Sequence, residues 1–270
     1  MMTKKEVKDI SIGIIGGTGL YDPNIFTIKD ERKVYTPYGE TSDKITICEL
    51  NGRNIAFISR HGKGHRIPPH KINFRANIWA LKELGVKKIL APSAVGSLKA
   101  KYRPSDIVIP DQYIDFTKNR EYTFYDGGIV CHISQANPFC PDLQSLVSTE
   151  LEKLSFKYHN KGTYTCIEGP RFSTIAESTY YRKVLNADII GMTLVPECIL
   201  AREMEICYLS ISTITDYDVW SKVHVNSREI IETLKTNVTK IKKLLGNIIP
   251  KISDKQNKCE CGSALRDALI

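Results

Sequence analysis

A chain of 270 residues, 42% of them hydrophobic and 25% charged, can bury a full core as one large domain or as two smaller ones. It holds no apolar run long enough to span a membrane, and its first residues, MMTKKEVKDI, lead into an apolar stretch that breaks at Gly16-Gly17 without a secretory cleavage site. The cytoplasm is the expected compartment. The net charge of +8 is spread through helical segments with no dense basic run or aromatic RNA-binding motif, which points to a solvated surface and an anionic substrate rather than to nucleic acid.

Apolar runs predict strands at Ile12–Ile15, Ile45–Leu50, Asn54–Ser59, Lys88–Ala91, Ile107–Ile109, Asp188–Ile190 and Ile206–Ser212. Between them, helical spacing predicts helices. In Lys71–Leu84 the residues Phe74, Ile78 and Leu81 recur at three- and four-residue steps. Thr174–Leu185 follows a turn, Pro196 opens a short helix through Met204, and Ser227–Asn247 carries Ile230, Ile231, Leu234, Val238, Ile241, Leu244 and Leu245 on one side. Strands alternating with helices and hairpins predict an α/β fold around a mixed sheet, in one domain. Residues Ser253–Cys261 read as a connector and Ser263–Ile270 as a short closing helix.

Six short motifs can carry chemistry. Gly16-Gly17-Thr18-Gly19-Leu20 follows the first strand; its backbone amides and the Thr18 hydroxyl can hold an anion, and a plain tight turn is the competing reading. It lacks both the dinucleotide fingerprint and the P-loop pattern. Ser59-Arg60-His61-Gly62 lies at a strand end, where an arginine fork and a histidine can meet phosphate. Ala91-Pro92-Ser93-Ala94-Val95-Gly96-Ser97 offers a hydroxyl and amides after a strand. Glu168-Gly169-Pro170-Arg171-Phe172-Ser173 is a rigid turn presenting an aromatic face and a small hydroxyl, and Gly191-Met192-Thr193-Leu194-Val195-Pro196-Glu197 places a thioether beside a hydroxyl, with core packing the competing reading for Met192. Thr215-Asp216-Tyr217-Asp218 sets two carboxylates at a strand end, where proximity and partial burial would keep one proton available for general-acid work; an Asx turn competes.

In this order, and with the flanking text YTPYGETSD, NFRANIWALKELG, FYDGG, CHISQANPFCP and AREMEICY, the motifs resemble the family of trimeric purine nucleoside phosphorylases and methylthioadenosine phosphorylases. The resemblance covers roughly Ile12 to Pro250. It implies a single-domain phosphorylase fold, a central mixed sheet flanked by helices over residues 1–252, followed by a tail over 253–270. It implies phosphorolysis of a purine nucleoside, with inorganic phosphate as co-substrate, no metal and no cofactor, in a trimer or a dimer of trimers. Thr18, Arg60, His61, Ser93, Ala94 and Thr193 would place the phosphate, although Ser93 stands where the family often has threonine. Phe172, Ser173 and Met192 would contact the nucleoside, and His132 would reach the neighbouring subunit's site. Asp216 would protonate or stabilise the base at N7, with Asp218 supporting its edge. Ser173 and Asp216 stand where inosine- and guanosine-cleaving members carry glutamate and asparagine, which favours an adenine base and hence 5′-methylthioadenosine or adenosine, with a 6-oxopurine phosphorylase as the alternative. Ile230 and Ile231 would wall the 5′ pocket, and the stretch after Trp220 is shorter than in the family.

Eight cysteines stand at 48, 131, 140, 166, 198, 207, 259 and 261. Cys48, Cys166 and Cys207 lie in apolar runs and read as small buried hydrophobes. Cys259-Glu260-Cys261 sits in a polar tail. A zinc site would need two further ligands, which the neighbouring sequence does not supply, so a disulfide is the sharper expectation. A redox protein using GGTGL for a cofactor and this pair as a thiol couple is the rival from another class.

Overall fold

The computed structural model describes residues 10–17, 20, 26–221, 227–254 and 258–270, with the side chains of 227–231 left aside. Thr18 lies outside the described residues, as do the side chains of Ile230 and Ile231. The strands are β1 (Ile12–Gly16), β2 (Thr27–Arg32), β3 (Ile45–Leu50), β4 (Arg53–Ser59), β5 (Lys88–Ser97), β6 (Ile107–Val108), β7 (Gln112–Phe116), β8 (Tyr158–His159), β9 (Thr163–Ile167), β10 (Ile189–Gly191) and β11 (Cys207–Asp216). The helices are α1 (Phe74–Glu83), α2 (Pro141–Lys153), α3 (Ile175–Thr179), α4 (Glu197–Glu203) and α5 (Ser227–Ile248). All strands join one mixed sheet whose main path runs β2-β3-β4-β1-β5-β10-β9-β7, with β11, β6 and β8 branching from β5. The branched isoleucines that fill β1, β3 and β4 suit a pleated, doubly covered surface, and Ile12, Ile14, Ile15, Ile45, Ile47, Ile55 and Ile58 are fully buried. Helices α1 with α4, and α2 with α5, pack in pairs beside the sheet. Asn73 caps α1 by accepting the Ala76 amide at 3.1 Å, and Phe74, Ile78 and Leu81 face the core.

Strand β5 changes partners along its length. On one edge it pairs with β11 from Lys88 to Gly96. On the other it pairs in parallel with β1 only as far as Leu90, and antiparallel with β10 from Gly96. Between those points no strand among the described residues lies beside this edge. Lys88 donates its amide to Ser11 on the β1 side at 3.1 Å, so alternation turns the backbone of Leu90, Pro92 and Ala94 to the same side. Pro92 therefore lacks a donor at a point where no strand waits to accept one, which lets β5 run through a proline. This is why the strand continues to Ser97 and does not end at Ala91.

Several other elements depart from the sequence reading. Strands β2, β7, β8 and β9 and helix α2 are additional to the expected elements, although α2 carries Leu143, Leu146, Val147 and Leu151 at helical spacing. The helix expected over Thr174–Leu185 is a short α-helix opened by a Thr174/Glu177 capping box, continuing as a π-helix over Tyr180–Val184. The closing helix expected at Ser263–Ile270 is a short 3-10 turn at Cys261–Ser263, then turns, ending in an antiparallel bridge from Leu269 to Cys131. Residues 258–261 do not hang free: Cys261 is buried in the main core and Cys259 packs against it.

Gly191 ends β10 with no room for a side chain. A Cβ there would lie 1.9 Å from the hydroxyl of fully buried Tyr164. Gly191→Ala should cost on the order of 1–3 kcal/mol by overpacking, read as a lowered denaturation midpoint in urea; an unchanged midpoint would contradict the packing described.

Candidate active site

The gap in β5 opens into a cavity of about 520 Å³. The C-terminal ends of β1 and β10 run toward it from opposite directions along β5, because β1 is parallel to β5 and β10 antiparallel. Strands β4, β9 and β11 end at its margin. The loops leaving these strands therefore bring together Arg60 and His61 after β4, Ser93 and Ala94 within β5, Phe172 and Ser173 after β9, Met192 and Thr193 after β10, and Asp216 and Asp218 at the end of β11. Residues spread over nearly 160 positions thus line one space. His132 does not; it is exposed, and its amide bonds the Ala268 carbonyl at 2.8 Å.

One end of the cavity suits an anion. The Ser93 hydroxyl is buried with no hydrogen-bond partner among the described residues, a costly state that an anionic oxygen would relieve. The alternation along β5 directs the Ala94 amide into the same gap. A side chain at Gly17 would sit 2.9 Å from the Pro92 carbonyl and 3.3 Å from Arg60 Nη1, so glycine keeps this approach open.

Arg60 is 1% exposed, and its fork does not point at a ligand. Nε and Nη2 donate to Glu197 at 2.7 and 2.8 Å, Nη2 also to the Ile15 carbonyl at 3.3 Å, and Nη1 to the Pro92 carbonyl at 3.2 Å. Among the described residues four of its five N–H groups are engaged, and one on Nη1 remains for an anion. The forked grip on phosphate expected from the sequence is thus replaced by a single donor and a fixed positive charge. Glu197, 1% exposed, also accepts from the Tyr208 hydroxyl at 2.8 Å. Glu197 closes the stretch that begins at Gly191 and Tyr208 ends AREMEICY, but nothing in the sequence shows that either meets Arg60 or Glu197 across the fold.

His61 is pushed down to about 4, first by burial and then by the positive charge of Arg60 and the neighbouring His65, against the pull of its bond to the Ile67 carbonyl. The ring is neutral, and Nδ1 donates to that carbonyl at 2.9 Å, which fixes the tautomer and leaves Nε2 as an acceptor. It can then take a hydrogen bond from a protonated phosphate oxygen, or gain a proton once an anion arrives.

The other end carries the carboxylates. A side chain at Gly96 would approach Asp216 Oδ1 at 3.2 Å, so this end lies three residues along β5 from Ser93, roughly 10 Å away. Burial raises the pKa of Asp216, outweighing the Thr215 hydroxyl at 2.7 Å and the Asp218 amide at 2.8 Å, and nearby Asp218 adds to the rise. Asp218 is buried and held in the left-handed region at φ 50°, and its carboxylate accepts the Ser173 hydroxyl at 2.9 Å. The i, i+2 carboxylates are therefore distinguished by their surroundings. Leu234 of α5 supplies an apolar wall one turn beyond the side chains expected for that purpose.

Two turns of the site share one brace that the sequence did not reveal. Arg120, 2% exposed at its side chain, donates from Nε to the Glu168 carboxylate at 3.2 Å and from Nη2 to the Glu168 carbonyl at 2.7 Å, and from Nη1 to the Val195 carbonyl. It ties the turn carrying Phe172 and Ser173 to the turn carrying Met192 and Thr193.

The chain belongs to the phosphorylase superfamily, whose family model matches residues 11–250, and within it to the S-methyl-5′-thioadenosine phosphorylases. It is 55% identical to the S-methyl-5′-thioadenosine phosphorylase of Hyperthermus butylicus over 96% of this chain and 95% of that one. Among solved structures it is similar to a methylthioadenosine phosphorylase from an antarctic soil metagenomic library, at 44% identity and a TM-score of 0.92, over 98% of this chain and 93% of that one. It is also similar to a variant of the adenosine/methylthioadenosine phosphorylase of Schistosoma mansoni in complex with methylthioadenosine, at 36% identity and a TM-score of 0.88, over 96% of each chain.

Two outcomes test the anion end. Glu197→Ala strands a buried guanidinium and should destabilise the fold by about 3–5 kcal/mol, seen as a lowered melting temperature; a neutral effect would show that the pair is not buried as described. By NMR, the His61 ring in phosphate-free protein should stay neutral from neutral pH down to about 4. Addition of phosphate should raise that midpoint, and titration near the ordinary histidine value without phosphate would contradict the assignment.

Proposed function

We propose that this chain cleaves 5′-methylthioadenosine with inorganic phosphate, releasing adenine and 5-methylthioribose 1-phosphate, and acts on adenosine in the same way. The observation that carries this reading is a single cavity with an anion-receptive end at Ser93 and Ala94 and a carboxylate end at Asp216, separated by about the span of a nucleoside. Membership of the S-methyl-5′-thioadenosine phosphorylases supports the choice of substrate.

Asp216 is the general acid. Its raised pKa lets it hold a proton, which it gives or shares with N7 of the purine as the glycosidic bond breaks, since an unprotonated purine anion leaves poorly. Asp218, oriented by Ser173, accepts from the amino edge of adenine. The sugar becomes oxocarbenium-like, and phosphate attacks C1′ from the face opposite the base, inverting that carbon. Arg60, His61, Ser93, Ala94, Thr193 and Thr18 place the phosphate, whose negative charge also stabilises the cationic sugar. Met192 lies along the ribose, and Phe172 packs near base and sugar. Every group the reaction calls for is a side chain, a backbone amide or the phosphate itself.

The unit we infer is a homotrimer or a dimer of trimers, working in the cytoplasm. Phe172 lines the cavity yet is 71% exposed, and Ile175 and Val184 beyond it are 69% and 67% exposed, an apolar rim suited to cover by a second copy. His132, outside its own chain's cavity, would serve the neighbour's. No helix among the described residues is long and apolar enough to cross a membrane.

Asp216→Asn keeps the shape but removes the titratable proton. Turnover of methylthioadenosine should fall by roughly 10²-fold, and inosine cleavage should rise. Unchanged turnover of methylthioadenosine with no gain on inosine would sink the adenine assignment. In the wild type, the sign follows from the raised carboxyl: activity is held while Asp216 is protonated and declines as pH climbs through its pKa. The Asn variant should lose that limb of the profile, and its persistence would assign the limb to another group.

A further inference from the structure

Away from the cavity, the fold gathers four of the eight cysteines. Cys140, Cys207, Cys259 and Cys261 have sulfurs all within 4.8 Å of one another, and Cys207 Sγ lies 3.4 Å from Cys259 Sγ. All eight cysteines are free thiols, and the disulfide expected at the tail is not formed. The two ligands missing from the neighbouring sequence are supplied across the fold, by residues 119 and 52 positions upstream of Cys259. We propose that these four thiolates bind one zinc ion, in a structural site that clamps the C-terminal tail to the core.

The geometry is that of one small ion. A tetrahedral zinc thiolate site has Zn–S distances of about 2.3 Å, hence sulfur–sulfur edges of about 3.8 Å, and here the four sulfurs lie within 4.8 Å of one another, with one pair at 3.4 Å. Sets of four thiolates in tetrahedral array select zinc over the harder divalent ions. The ligands stand on separately fixed supports. Cys140 precedes Pro141 at the start of α2, and its amide bonds the Tyr208 carbonyl at 3.0 Å; Cys207 opens β11, with its amide on the Lys87 carbonyl at 3.0 Å. The tail is brought in by Asp142 Oδ2, which accepts the amides of Lys258 and Cys259 at 3.0 and 3.3 Å. Three of the thiols are buried and Cys259 is half-buried, which closes the site while leaving an approach for the ion. The N-terminus of the 13-residue α2 favours the negative charge of a tetrathiolate.

Binding is proton exchange without electron transfer: four Cys–SH and Zn²⁺ give one Zn(S-Cys)₄ unit with charge −2 and four protons released to solvent. The clamp has a consequence further along the chain. Beyond Cys261 the tail pairs with residues 130–132, through Val130 and Ile270 in both directions and through His132 and Ala268. On the reading that His132 completes a neighbouring subunit's site, the zinc would hold the segment that presents it.

The test uses the full-length protein, fully reduced, stripped of metal and titrated with Zn²⁺ or Co²⁺. One equivalent of zinc should be retained through gel filtration, and peptide mapping after alkylation should show Cys140, Cys207, Cys259 and Cys261 protected while the other thiols react on unfolding. Cobalt should give thiolate-to-cobalt charge transfer and the intense visible bands of a tetrahedral site. The pair of substitutions Cys259→Ser and Cys261→Ser, which touch only the tail, should abolish retention, whereas Cys48→Ser should leave it intact. Failure of the reduced protein to retain zinc or to give the cobalt bands overturns the proposal. So does a native protein, isolated without oxidants, whose mass is four hydrogens short at these cysteines, since that is a pair of disulfides. None of these readouts depends on nucleoside cleavage.

Discussion

The site depends on one constraint in the sheet: β5 must give up β1 before it takes β10. A strand that kept one neighbour throughout would have every amide on that edge satisfied and nowhere to put a ligand. By losing its partner after Leu90 and regaining one at Gly96, β5 leaves an interval of backbone inside the protein whose polar groups need something to bond. Pro92 removes one of those groups, Arg60 satisfies the Pro92 carbonyl, and the Ala94 amide and Ser93 hydroxyl are left for a ligand. The antiparallel entry of β10 has a further effect, because it aims the Met192 and Thr193 turn back into the same interval.

Electrostatics at the two ends follow from how each charge is housed. At the anion end the positive charge is permanent but largely spent: Arg60 is neutralised by Glu197, so the protein does not carry a naked buried guanidinium while waiting for phosphate. The histidine beside it is kept neutral for the same reason. At the base end the two carboxylates sit two residues apart, yet one has its pKa raised by burial and the other is held by a serine hydroxyl. Two like groups in unlike surroundings can take different roles, one giving a proton and the other accepting a hydrogen bond.

Much of this was legible in the sequence, and the residues show why the rest was not. The strand-end motifs were readable because a ligand site at strand ends draws Gly, Ser, Thr, Asp and Arg into short clusters after apolar runs, and the structure brings Arg60, His61, Ser93, Ala94, Phe172, Ser173, Met192, Thr193, Asp216 and Asp218 around one cavity. Residues that act through another side chain left no such mark. Glu197 and Arg120 are single charges far from their partners in sequence, and only the fold reveals that one faces Arg60 and the other spans two turns. The extent of β5 was hidden by Pro92 and Gly96, which signal a loop unless the partner change is known. The tail was misjudged for the same reason of distance: Cys259 and Cys261 look isolated until β11 and α2 deliver Cys207 and Cys140 beside them.

The central claim is that the gap in β5 holds phosphate as a reactant. The most direct measurement is product analysis of methylthioadenosine turnover with and without inorganic phosphate, following adenine by chromatography and the sugar product by ³¹P NMR. The account predicts no adenine without phosphate and, with it, adenine and a 5-methylthioribose 1-phosphate in equal amounts. Adenine released at the same rate without phosphate, with free methylthioribose as the other product, would show hydrolysis and contradict it.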